Sequence, residues 1–146
     1  MSILPGIFHN AILVSSVTAW FIAQLLKLAI NLFLIRKLNF QLLYSSGGFP
    51  SSHSSMVSAL TLGIGKYYGW DSPIFAVSAI YGMVVLYDAA GVRRAAGKQA
   101  EVLNKLVEKL SQGSDLAQDR LKELIGHTPF EVFGGALVGI IVGLVL

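Results

Sequence analysis

The sequence predicts an all-α protein: a small polytopic membrane helical bundle of about four transmembrane helices with a cytoplasmic amphipathic helical insert. Three observations lead there. Of 146 residues, 54% are hydrophobic and 13% charged, a balance too apolar for an ordinary soluble domain of this size. The apolar residues gather into long runs separated by short polar joints. One stretch, residues 97–125, instead alternates charged and aliphatic residues at helical spacing. The expectation is one integral membrane domain, residues 1–146. With no cysteine in the chain, a disulfide framework or thiolate metal site is excluded. A net charge of +3 without aromatic-basic interleaving argues against nucleic-acid binding. The N-terminus lacks a basic n-region and its apolar run is too long for a cleavable signal, so it is expected to be retained.

Residues 7–35 form the first segment, long enough to cross the roughly 30 Å hydrocarbon layer. Gln24, Lys27 and Asn31 share one helical face and should meet protein rather than lipid. Lys27 either snorkels to the headgroups or binds a ligand. Arg36 and Lys37 close the segment, and Leu42, Leu43 and Tyr44 follow in a connection suited to the membrane interface. Next comes GGFPSSHSS, from Gly47 to Ser55. Pro50 and the serines read as a helix start, with Ser51 or Ser52 as cap and His53 in the first turn. Such a terminus presents N–H donors and a positive dipole end, and glycines such as Gly48 allow close approach. The stretch is either a phosphate cradle or a capped helix after a glycine turn.

Residues 53–68 make the second segment, rich in small residues as helix packing in membranes requires. After the turn GWDSP, residues 73–92 make the third, apolar apart from Tyr81, Tyr87 and Asp88. Asp88 either pairs with a nearby base or orients a catalytic imidazole. The insert, residues 97–125, reads as two amphipathic helices broken near Gln112 to Ser114, able to lie on the membrane or to cover a site. Residues 129–146 form the last segment, opened by Thr128, Pro129 and Glu131 as cap, N1 and N3 of a capping box. That box alone accounts for Glu131.

Four spans put nine of the eleven Lys and Arg residues on one side, which the positive-inside rule makes cytoplasmic, with both termini opposite. Lys27, Arg36, Ser52, His53, Asp88, Arg93, Arg94, His127 and Glu131 then fall toward that face. Two histidines, several bases and two helix N-termini suit a dianionic phosphate between apolar walls.

GFPSSHSS, YDAAGVRRAAGKQAEVLN and GHTPFEVFGG, in this order over most of the chain, resemble the divergent branch of the type 2 phosphatidic acid phosphatase and vanadium haloperoxidase superfamily. The resemblance implies an all-helical membrane phosphatase. It puts His53 in the place of the general acid, His127 in that of the nucleophile that forms a phosphohistidine, and Glu131 in that of the acid that orients it. Lys27, Ser52 and either Arg93 or Arg94 would hold the phosphate, which the residue reading also brings close to Gly48, while Asp88 has no counterpart in the main pattern. Ser52 replaces the motif glycine, Glu131 stands for aspartate, no proline follows Arg36, and the helical insert separates Arg94 from His127.

Chemistry and resemblance together imply a metal-independent phosphomonoesterase of the inner or cell membrane. Phosphatidylglycerophosphate is the favoured substrate, ahead of a polyprenyl phosphate or diphosphate and phosphatidic acid. No cofactor is expected, and one magnesium ion between Asp88 and Glu131 is the lesser alternative. The competing class is a non-catalytic lipid-phosphate binder or transporter. Gly134, Gly135, Gly139 and Gly143 could pack a partner subunit in a homo-oligomer.

Overall fold

Short polar residues start the long apolar helices in a computed structural model that describes residues 3–36, 48–110 and 127–146. Among the described residues there is no strand. The helices are α1 (Ile3–Phe8), α2 (Ala11–Ile35), α3 (Ser52–Tyr68), α4 (Pro73–Ala90), α5 (Val92–Leu110) and α6 (Pro129–Val145). Asn10 caps α2, Ser51 caps α3, Ser72 caps α4 ahead of Pro73, and Thr128 caps α6 ahead of Pro129. Each side-chain oxygen satisfies an N–H that the helix ladder leaves over.

Two boundaries differ from the sequence reading. Ile7 and Phe8 belong to α1 rather than to the first long segment, because the Asn10 side chain accepts from Leu13 N–H and starts a new helix there. The third segment stops at Ala90, and Gly91 joins it to α5, so Arg93 and Arg94 stand in the first turn of α5. The Leu42 to Tyr44 connection and the break near Gln112 to Ser114 lie outside the described residues.

Ala11–Leu34 and the helix running on from Pro73 are long and apolar enough to cross a membrane. The other two expected spans, α3 and α6, each have 17 residues, about 26 Å at the helical rise. Large apolar side chains on α2, α4 and α6 face outward, Phe33 at 85% and Tyr87 at 77% exposure among them.

The interior is made of small residues. α3 is the central helix and packs on α2, α4 and α6. Ser55 Oγ donates to the Ala19 carbonyl at 2.9 Å, tying α3 to α2 where Ala19 and Ala23 are fully buried. Ser78 Oγ donates to Thr61 Oγ1 at 3.1 Å, tying α4 to α3 beside Gly82. The closest approach is between α3 and α6. A methyl at Gly135 would overlap the Ser51 carbonyl oxygen, one at Gly139 the Ser55 carbonyl, and one at Gly134 the ring of Phe49. Gly143 faces Ala59 and Leu62. The glycine face offered above for a partner subunit is therefore filled by α3 and its entry loop within the same chain.

Overpacking a tight helix contact costs about 1–3 kcal/mol. Gly135→Ala and Gly139→Ala are each expected to lower stability by about that amount in detergent-solubilised protein. Gly6→Ala, whose added carbon meets nothing within 4 Å, is expected not to lower it. Thermal unfolding of the three variants beside the parent checks this.

Candidate functional site

The site forms where α3 and α6 begin and α4 ends. Ser51 N–H donates to the carbonyl oxygen of Glu131 at 3.0 Å, and the Phe49 ring stacks on Phe130 with centroids 5.1 Å apart. These contacts hold two helix N-termini together, and each brings a histidine: His53 in the first turn of α3, His127 immediately before the cap of α6. A pocket of about 250 Å³ is lined by both histidines and by Tyr81, Val84, Val85, Asp88 and Ala89 of α4. Positions 81, 84, 85 and 88 fall on one helix face, so α4 supplies an apolar wall that ends in a carboxylate.

His127 is the most constrained member, 2% exposed. Its Nδ1 lies 2.9 Å from Glu131 Oε2. The same oxygen accepts the Thr128 backbone N–H at 3.2 Å, while Thr128 Oγ1 accepts the Glu131 N–H at 3.3 Å. The capping box thus has two functions: the carboxylate that closes it also grips the imidazole. An ionised carboxylate only accepts, so this bond fixes the ring proton on Nδ1 and leaves the lone pair on Nε2. A base or nucleophile held in one tautomer by a third group has the logic of a catalytic triad.

Lys27 on α2 is 3% exposed. Its stem lies against Gly48, where an added Cβ would stand 3.3 Å from Lys27 Cδ, and its charge acts on that of Glu131. Lys27 is an interior residue, not one that snorkels to headgroups. Gly48 favours glycine through its φ of +97°, and the Lys27 stem leaves little room for a Cβ there. Gln24, one turn before Lys27, is also buried and Asn31 is half-buried.

Of the four serines in the expected cradle, two hold the helix start and a third ties it to α2. Ser51 is the cap, Ser54 Oγ donates to Ser51 Oγ at 2.8 Å, and Ser55 bonds to α2. Ser52, buried at 2%, is the first residue of α3. The structure therefore gathers His53, Asp88 and His127 around one pocket, Glu131 on His127, and Lys27 with Gly48 beside them. Arg36 is exposed at the end of α2, and the side chains of Arg93 and Arg94 lie outside the described ones. Asp88 and Glu131, the pair offered for magnesium, have different surroundings: Asp88 lines the pocket and Glu131 is engaged by His127 and the Thr128 N–H.

Sequence reasoning missed the α4 wall and the Ser51–Glu131 bond. The wall had a signal in the helical spacing of Tyr81, Val84, Val85 and Asp88. The bond had none, because it joins two backbones.

Among known proteins, the model of the divergent PAP2 family matches residues 8–142. The uncharacterized membrane protein YuiD of Bacillus subtilis (strain 168) is 46% identical over 148 residues, covering 94% of each chain. No solved structure matches.

Because glutamine can also close a capping box, the two functions of Glu131 are separable. Thr128→Ala, which removes the cap, is expected to lower the unfolding free energy by about 1 kcal/mol. Glu131→Gln keeps the cap and is expected to cost less than half as much. Denaturant titration of both variants measures the difference.

Proposed function

The chain belongs to the divergent PAP2 family, and on that premise we propose that it is a metal-independent lipid phosphate phosphatase working through a phosphohistidine. The observation that carries this reading is the 2.9 Å bond from His127 Nδ1 to Glu131 Oε2, at a pocket that His53 also lines.

In the first step Nε2 of His127 attacks phosphorus, the P–O ester bond breaks, and protonated His53 gives its proton to the leaving alkoxide. As the P–N bond forms, positive charge grows on the His127 ring, and the Glu131 carboxylate offsets it. In the second step His53, now neutral, takes a proton from water while the water oxygen attacks phosphorus. The P–N bond breaks and inorganic phosphate leaves. Lys27, Ser52, Gly48 and Arg93 or Arg94 hold the phosphoryl oxygens, aided by the positive ends of α3 and α6. Asp88 orients an imidazole in the pocket.

The pocket walls support a lipid phosphate as the substrate class. A polar end with two histidines and an apolar flank of Tyr81, Val84 and Val85 suits a phosphate joined to a lipid. Phosphatidylglycerophosphate comes first, ahead of a polyprenyl phosphate or diphosphate and phosphatidic acid. The membrane arrangement is part of the proposal: four spans, an active site toward the cytoplasm and both termini on the opposite side. It is supported by the gathering of the α3 start, the α4 end and the α6 start at one pocket and by the asymmetry of basic residues.

Purified protein with EDTA is expected to release phosphate from at least one of these lipids. His127→Ala should lower kcat/KM by about 10⁴-fold or more, as loss of a nucleophile does. His53→Ala should cost about 10²–10⁴-fold, as loss of a general acid does. Phosphate-release assays on the lipid panel decide it. Release from none of the lipids by the parent protein overturns the enzyme reading, and lipid-phosphate binding without turnover would favour the binder.

A further inference from the structure

We propose that α5 is an in-plane membrane anchor, docked by its apolar face on the bilayer surface from which α4 emerges and reading anionic phospholipid through its basic residues. The proposal stands apart from the chemistry of the pocket.

Val92, Val102, Leu103, Leu106 and Val107 of α5 are between 40% and 58% exposed. With Ala95, Ala96 and Gln99 they occupy one face of the helix at its 3.6-residue period. On the opposite face Glu101 pairs with Lys105 one turn on, both in solvent. Among the described helices α5 meets only α4, with which it is continuous through Gly91, so no described helix covers the apolar face.

Charge and continuity identify the occupant. The helix carries five basic residues against two acidic ones. Lys98 lines a shallow groove with Gln99, Val102 and Leu103, which places an ammonium at the rim of an apolar strip. A phospholipid matches that pattern, with its phosphate on the lysine and its upper acyl chain along the valine and leucine. The 18 residues of α4 already match the roughly 30 Å hydrocarbon layer, so a span made of α4 puts the start of α5, at Val92, beside the headgroups. A second copy of α5 would bring like charge to the same face.

The chain has no cysteine, so single-cysteine variants can be spin-labelled without background. In vesicles of phosphatidylcholine with phosphatidylglycerol, a label at Leu103→Cys is expected to collide with oxygen and be shielded from a water-soluble nickel chelate. A label at Glu101→Cys should do the reverse, giving an oxygen-to-nickel accessibility ratio several-fold higher at 103. In vesicles of phosphatidylcholine alone, or with Lys98→Glu, that contrast should shrink. A Leu103→Cys label open to the nickel chelate places α5 in water and overturns the proposal. A label shielded from both probes means that protein covers the face, whether residues 111–126 or a second copy, and overturns it too. A contrast equal in both vesicle types overturns the anionic preference.

Discussion

The close crossing of α3 and α6 at their N-terminal ends is the constraint from which the rest follows. It exists because Gly134, Gly135 and Gly139 present no side chain where Phe49, Ser51 and Ser55 arrive. At that separation the Ser51 N–H reaches the Glu131 carbonyl, and two helices that begin far apart in sequence begin side by side. Between helices in lipid no hydrophobic difference drives association, so backbone proximity and interhelical hydrogen bonds must do it. Ser55 of α3 serves the same end toward α2, and Thr61 toward α4. His53 and His127 meet at one pocket as a consequence of this packing, which is why the site depends on glycines that carry no chemistry.

Glu131 links the fold to the chemistry. One carboxylate closes the cap of α6, orients His127 and feels the charge of Lys27. A buried lysine would be costly alone in a membrane segment, and an acid nearby reduces that cost. Two positive helix ends and Lys27 stand against two carboxylates, Glu131 engaged by His127 and Asp88 on the pocket wall.

Much of this was legible in the sequence where local chemistry decides. Thr128 as the cap of α6, Glu131 as its third residue, a protein-facing stripe through Gln24 and a cap of α3 at Ser51 or Ser52 all follow from spacing and residue type. The convergence of His53 and His127 follows from alternating helix direction. What was not legible depends on partners distant in the chain. Four glycines at helical spacing announce a close neighbour without saying whether it is α3 or another subunit. Lys27 could snorkel or stay inside until its depth against Gly48 is known. Asn10 splits the first apolar run because its side chain accepts from Leu13, a competition that hydropathy does not register.

The proposed function turns on covalent phosphorylation of His127, gripped by Glu131. Rapid quenching of the protein with an aryl phosphate of good leaving group, phosphorus-labelled, tests it most directly. The account predicts an acid-labile, base-stable phosphoryl adduct mapped to His127, absent in His127→Ala and accumulating in His53→Ala, where attack by water is slowed. Turnover with no phosphoprotein at any quench time, or an adduct that persists in His127→Ala, would contradict it.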